Sequence, residues 1–331
     1  MDLRLQPLLA SALIASLALP CAAAAQTVTD DTAHERAWTA PLTLDGQPNL
    51  QGDWTNDTYT PLERPEALGD KALFTEEEAA AFLKSRTDRL NGQAANDIHY
   101  DDAIWQAEKY DKIAERRTSL IVEPKNGRLP PLTEQGAARL AQQRATQRAN
   151  PAAAGAPSRS LAERCISWGN VGPPMMPPTY NANIAIVQAK DVMILRHEMM
   201  HDTRFIYLDG RAHPPANVQW LAGHSVGRWE GQTLVVDTTN FTAKTNFRGS
   251  PSNTRQDIFA TESLHVVERF TPTDRNTIHY AFTVEDPATW TTPWSGAMEI
   301  RRSEGPIYEY ACHEGNYGLA NILRAAQLAR K

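Results

Sequence analysis

The pattern of apolar and polar positions divides the chain near residue 160. From Asn183 onward apolar positions recur with a period of two in Ile184–Ala189, Val192–Leu208, Trp229–Thr238, Leu264–Thr271, Thr277–Val284 and Ala297–Arg302. These segments are rich in Val, Ile, Thr and aromatic residues, which predicts strands with one buried face. Turn-forming stretches separate them: Ala189-Lys190-Asp191, Asp209-Gly210, Glu230-Gly231-Gln232, Asp274-Arg275-Asn276 and Ser303-Glu304-Gly305-Pro306. Short connections join antiparallel neighbours, because parallel pairs need long crossovers. An open meander of this size exposes two edges, so the pattern predicts an antiparallel meander that closes into a barrel or curls strongly. Gly52-Asp53-Trp54 resembles the opening of lipocalin-like barrels, and equally fits a turn before a buried Trp.

Before residue 160 the period is helical or absent. Thr75-Glu76-Glu77-Glu78 is a capping box with Phe74 placed as its hydrophobic staple, opening a helix to about Arg89. Ala103–Arg116 predicts a second helix, and Thr133 opens a third that fades into the Ala/Gly/Pro-rich stretch 150–157. A short helix, Leu319–Arg330, closes the chain. The expected class is mainly β with an α-helical N-terminal region. Residues 26–160 are read as helices and loops wrapping the sheet, and 161–331 as the antiparallel β domain with its short C-terminal helix.

The first residues change the picture of where the chain works. Arg4, the apolar run Leu8–Leu19 and Ala22-Ala23-Ala24-Ala25 before Gln26 read as a cleavable signal peptide over residues 1–25, implying a periplasmic or secreted protein. The rival is a lipoprotein attached through Cys21, for which Pro20 is a poor fit. The run is shorter than the about 20 residues a spanning helix needs, and no later segment is apolar enough, so stable membrane insertion is not expected. The formal charge of −6 argues against nucleic acid as a partner. Once Cys21 leaves with the signal, Cys165 and Cys312 remain, and outside the cytoplasm such a pair points to a disulfide. The alternative is a catalytic thiol at Cys312 beside His313, which oxidation would threaten.

Several stretches carry candidate chemistry. His197-Glu198-Met199-Met200-His201 matches the H-E-x-x-H zinc pattern, which works on a helix. Here it lies in a segment read as strand, where the two imidazoles stand roughly 13 Å apart and Glu198 faces away from both. That alternation puts Glu198, Met200, Asp202 and Arg204 on one face and His197, Met199, His201 and Thr203 on the other. The first face is either a polar pocket lining or a solvated ladder. His213, in the loop Asp209-Gly210-Arg211-Ala212-His213-Pro214-Pro215, is a surface histidine or an acid–base or metal group over a barrel mouth. Gly223-His224-Ser225-Val226-Gly227 has nucleophile-elbow spacing, but a strand follows where an elbow needs a helix. Tyr308–Tyr317 is the densest polar cluster, and a bridge at Cys312 would pin His313 and Glu314 near Arg164–Trp168.

Arg117-Thr118-Ser119-Leu120-Ile121, Arg164-Cys165, Glu198-Met199-Met200-His201, Leu208-Asp209-Gly210-Arg211, Gly227-Arg228-Trp229-Glu230-Gly231 with Thr233-Leu234-Val235-Val236-Asp237-Thr238, and Glu309-Tyr310-Ala311-Cys312-His313-Glu314-Gly315-Asn316-Tyr317 resemble a large family of exported bacterial proteins. The family has no general activity assignment, so the resemblance implies candidate residues and not a reaction. It points to Glu198, His201, Arg204, Asp209, His213, Trp229, Glu230, Glu268, Asp286, His313, Glu314, Asn316 and Tyr317. His197 falls where the family varies, and His224 stands where it more often has Asp.

The expectation is an exported enzyme on a small organic substrate, of hydrolase, lyase or isomerase type, using His/Glu acid–base chemistry with or without a divalent metal. His201, His213, His313, Glu314 and Glu198 are its expected catalytic groups; Arg204, Asp209, Trp229, Asn316 and Tyr317 its substrate contacts. At least two of the three histidines should line one pocket with Glu198 or Glu314. The alternatives are a non-catalytic ligand-binding barrel and a structural module of the cell envelope.

Overall fold

The computed structural model describes residues 38–91, 116–148, 155, 159, 161–168, 171–178, 181–244, 246–247, 258–259 and 261–328. The expected signal peptide and most of the expected Ala103–Arg116 helix lie outside these residues. The strands are β1 (Gly52–Thr55), β2 (Ile121–Glu123), β3 (Asn183–Ala189), β4 (Val192–His197), β5 (Thr203–Tyr207) and β6 (His224–Glu230). They continue as β7 (Thr233–Thr239), β8 (Asn246–Phe247), β9 (Ile258–Phe259), β10 (His265–Asp274), β11 (Thr277–Glu285) and β12 (Trp294–Arg302). Nine of them close a barrel in the order β1-β3-β4-β5-β6-β7-β10-β11-β12 and back to β1; β2 adds to the start of β12, and β8 pairs with β9 apart.

The expected closure is present, but the barrel is mixed and not purely antiparallel. A closed ring with an odd number of strands cannot alternate direction throughout. Here the mismatch is absorbed at β5 and β6, which run parallel with Ile206 opposite Ser225 and Tyr207 opposite Val226. A parallel pair needs a crossover, and residues 208–223 supply it. β1, from the part expected to be helices and loops, closes the ring through Trp54 opposite Ile184 and Arg302.

Side chains fill the interior, as suits a ring only slightly larger than the eight strands whose side chains just fill a barrel. Ile186, Leu195, Ile206, Val236, Phe270, Tyr280, Phe282 and Trp294 alternate inward and are buried, joined by Met175 and Met176 from the loop before β3. Gly296 makes room for the Phe282 ring, which a Cβ there would meet at 2.3 Å. One polar network crosses this core. Arg204 donates from Nη1 to Glu268 Oε1 at 3.0 Å, from Nη2 to Glu268 Oε2 and to Thr238 Oγ1 at 3.0 Å, and from Nε to Ser225 Oγ at 3.0 Å. The Tyr280 hydroxyl donates to Glu268 at 2.8 Å and accepts from the Met175 amide at 2.8 Å. Every buried group in the network is satisfied, as burial of charge requires.

The segment expected as one strand, Val192–Leu208, breaks. His197 ends β4, a 3-10 turn spans Met199–His201, and Thr203 starts β5. Met200 (φ 59) and His201 (φ 45) take left-handed backbone to make this turn. The segment is therefore neither the helix of a zincin nor the continuous strand expected, and the assignment of Glu198, Arg204 and His201 to strand faces is corrected accordingly.

Three helices are described: α1 (Glu76–Asn91), α2 (Glu134–Arg148) and α3 (Tyr317–Leu328). The capping box at α1 is reciprocal. The Glu78 amide donates to Thr75 Oγ1 at 3.2 Å, and the Thr75 amide donates to Glu78 Oε2 at 2.8 Å. Phe74 stacks on Phe82, with centroids 5.3 Å apart. Thr133 caps α2, accepting the Gly136 amide at 3.0 Å. Cys165 and Cys312 form the expected disulfide, with Cα atoms 5.7 Å apart. It seats the C-terminal segment on the β4–β5 turn, where Met199, Met200 and Val171 pack with Trp168, Tyr310 and Cys312. No helix among the described residues is long and apolar enough to cross a membrane.

Candidate functional site

The crossover from β5 to β6 returns along the outside of the barrel and is pinned there. Asn240, at φ 60, donates from its side-chain amide to the carbonyls of Pro214 (3.2 Å), Pro215 (3.1 Å) and Val218 (2.9 Å). The Trp220 amide donates to the Asn240 carbonyl at 2.9 Å. Gly223 ends the crossover at φ +68, where a Cβ would lie 2.6 Å from the Thr239 carbonyl oxygen. The loop is held as part of the wall, and His213 is held with it.

Beneath it the outer positions of neighbouring strands form a polar row. His224 on β6, Asp237 on β7 and His265 on β10 alternate with inward residues and are half-buried. His213 Nε2 donates to Asp237 Oδ1 at 3.1 Å, and His265 Nε2 donates to Asp237 Oδ2 at 2.9 Å. One carboxylate thus bridges two imidazoles. The other nitrogen of His213, Nδ1, lies 3.0 Å from Nδ1 of His224. Glu285 on β11 stands 3.7 Å from the second nitrogen of His265.

Electrostatics follow the geometry. The hydrogen bond from His265, aided by its charge and by His213, holds the Asp237 carboxyl below the usual carboxylate range. Asp237, and then Glu285, raise His265 above an ordinary histidine. Burial, reinforced by neighbouring His213 and Arg211, lowers His224. The row therefore places an imidazole that keeps its proton near one that resists protonation, which is the separation acid–base chemistry uses.

Aromatic rings frame the row. Tyr207 stacks on His224 at 5.3 Å and 24°, and Trp220 lies 5.6 Å from it at 38°. Arg211 covers the Tyr207 ring at 3.8 Å. Trp220 keeps 42% of its surface exposed and offers an apolar face beside the imidazoles.

The residues expected from sequence are distributed over several places. His213 is in the row. His201 lies beyond the other end of the five-residue β5 from the crossover and donates from Nδ1 to the Tyr310 carbonyl at 3.1 Å. His313 and Glu314 are exposed in the C-terminal segment, the His313 carbonyl accepting the Asn316 amide at 3.2 Å. The disulfide brings that segment to the turn carrying His201, and His213 is not there. Glu198 is buried at the same turn, accepting from Asn181 at 2.6 Å and Asn183 at 2.7 Å.

Among the expected substrate contacts, Arg204 sits inside the barrel and is committed to Glu268, so it is a core residue. Asp209 is paired with Arg211, whose hydrogen bonds hold its pKa down to about 2. Trp229 packs against the core, Asn316 accepts the Leu319 amide as the cap of α3 at 3.4 Å, and Tyr317 is exposed. Asp286 accepts from Thr261 and Thr289 and organises a loop. Among the described residues no group of three or more His, Cys, Asp and Glu side chains is arranged to hold a metal ion.

His224, Asp237, His265 and Tyr207 were not among the expected site residues. Asp237 and His265 occupy the polar phase of alternating strands, and the available signal was that their registers align once β10 pairs with β7. No protein-family model, curated protein or solved structure matches the chain.

Proposed function

We propose that the chain is an exported enzyme that moves protons on a small organic substrate at the outer-wall row of His213, His224, Asp237 and His265. The observation that carries this reading is the Asp237 carboxylate bridging two imidazoles under a crossover that the fold pins in place. Asp237 stays ionised and holds His265 protonated at a pH where a free imidazole has lost its proton. Such a pair supplies the acid of an elimination, isomerisation or hydrolysis, while His224, whose protonation burial disfavours, supplies the base. The exposed face of Trp220 gives an apolar or ring-bearing substrate a surface to stack on.

Export rests on the sequence of residues 1–25 and agrees with a disulfide that persists in an oxidising compartment. A passive lipocalin-like binder has less support, because the barrel interior is occupied by its own side chains. The test is a screen of hydrolysis, elimination and isomerisation substrates against the wild-type chain and against Asp237→Asn. Turnover by the first and its loss in the second, with unchanged circular dichroism, is the expected result. Equal turnover by both would overturn the assignment to this row.

A further inference from the structure

The hydrogen bonds of His213 determine where protons sit along the row. A carboxylate only accepts, so Nε2 of His213 carries the hydrogen in its 3.1 Å contact with Asp237. In neutral His213 the remaining nitrogen, Nδ1, is then a lone pair. Its 3.0 Å contact with Nδ1 of His224 must take its hydrogen from His224. His224 is thereby held as the Nδ1–H tautomer, the less common form of neutral histidine, and Nε2 becomes its basic atom.

We infer, building on the acid–base reading above, that Nε2 of His224 is the atom that takes the substrate's proton and that His213 takes up the resulting positive charge, held beside the Asp237 carboxylate. The proton count closes. The substrate's proton bonds to Nε2 of His224, the hydrogen on Nδ1 of His224 passes to Nδ1 of His213, and the electron pair of the broken substrate bond stays with the substrate. His213 becomes an imidazolium whose Nε2–H faces the Asp237 carboxylate. Reprotonation of the product by the reverse path restores the starting tautomers. His224 is the catalytic residue in this scheme; His213 and Asp237 are positioning residues acting through it.

The surroundings fit this division of labour. Tyr207 stacks on His224, Trp220 lies tilted beside it and His213 meets it edge-on at 76°, so its ring orientation is set by packing as well as by hydrogen bonding. His265 occupies the other oxygen of Asp237 and fixes the carboxylate. Asn240 holds the loop that carries His213.

Long-range nitrogen–proton correlation spectra of the full chain, recorded above the histidine titration range, read the tautomers directly. For His224 we expect Nδ1 in the protonated range and Nε2 in the unprotonated range, reverting to the ordinary Nε2–H form in His213→Ala. A merely structural His213 would leave the His224 tautomer where it was. A wild-type His224 with hydrogen on Nε2, or an Nδ1–H form that persists in His213→Ala, would overturn the relay. Turnover in the substrate screen accompanied by an Nε2–H His224 would refute the relay and leave the acid–base reading standing. The expected tautomer with no turnover of any substrate would overturn the acid–base reading and the relay with it, leaving only the hydrogen-bond order of the row.

Discussion

The guanidinium of Arg204 on β5 and the carboxylate of Glu268 on β10 meet inside the barrel across two intervening strands, joined by two parallel hydrogen bonds. Both are buried, so either partner alone would be an uncompensated charge. Arg204→Met is therefore expected to cost about 3–5 kcal/mol of stability in urea unfolding. The double variant Arg204→Met/Glu268→Leu should recover most of that loss. Ser225 and Thr238 bond each other at 2.9 Å and the Tyr280 hydroxyl keeps the Met175 amide. Strictly additive losses would contradict this account of the pair.

His197 gives the fold an acid-sensitive group. It is 5% exposed, and burial together with the Arg204 charge holds its pKa down to about 3. The unfolded chain takes up this proton near pH 6.5 and the folded chain does not until about pH 3. Its contribution is thus fully present above pH 6.5 and is lost as pH falls through that window, by about 5 kcal/mol in total. His197→Met, which also removes a buried Nε2 lacking a partner, should flatten the acid limb of stability against pH. An unchanged limb would assign the acid sensitivity elsewhere.

The bridge between Cys165 and Cys312 spans 147 residues. The chain-entropy model puts its stabilisation at about 5 kcal/mol. Cys165→Ser/Cys312→Ser should lower the thermal midpoint and release the segment Tyr308–Tyr317 to rapid amide exchange. The barrel network around Tyr280 should stay protected. Equal exchange in the segment before and after removal would contradict its docking by the bridge.

Much of this was legible in the sequence because the signals were local. The capping box at Thr75 and the period-two strands each state their structure within a few residues. The turn at Met199–His201 was not legible, since His197–Tyr207 contains no Gly, Pro or Asn to mark it. Two ordinary side chains adopt left-handed backbone there, which tertiary packing of Met199 and Met200 stabilises. The parallel pair follows from the parity of a closed ring, a property of the whole sheet and of no single segment. For the same reason the row at Asp237 was hidden: His213, Asp237 and His265 come together only through that crossover and the β7–β10 register.

The crossover itself can be tested at Gly223. A side chain there is strained at φ +68 and meets the Thr239 carbonyl, so Gly223→Ala should destabilise by about 1–3 kcal/mol. The disturbance should be greatest at His213 and Trp220 in amide-shift maps. Shifts spread evenly over the barrel would argue against a pinned loop.

Turnover by Asp237→Asn and His213→Ala against wild type, on one substrate identified by the screen, tests whether Asp237 organises a proton-transfer site. General acid–base catalysis contributes about 100- to 10,000-fold, and the base at His224 acts through His213 and Asp237. Both variants are expected to lose activity within that range while KM and the unfolding midpoint change little. Wild-type turnover in both variants, or a loss of activity that tracks a loss of fold, would contradict the claim.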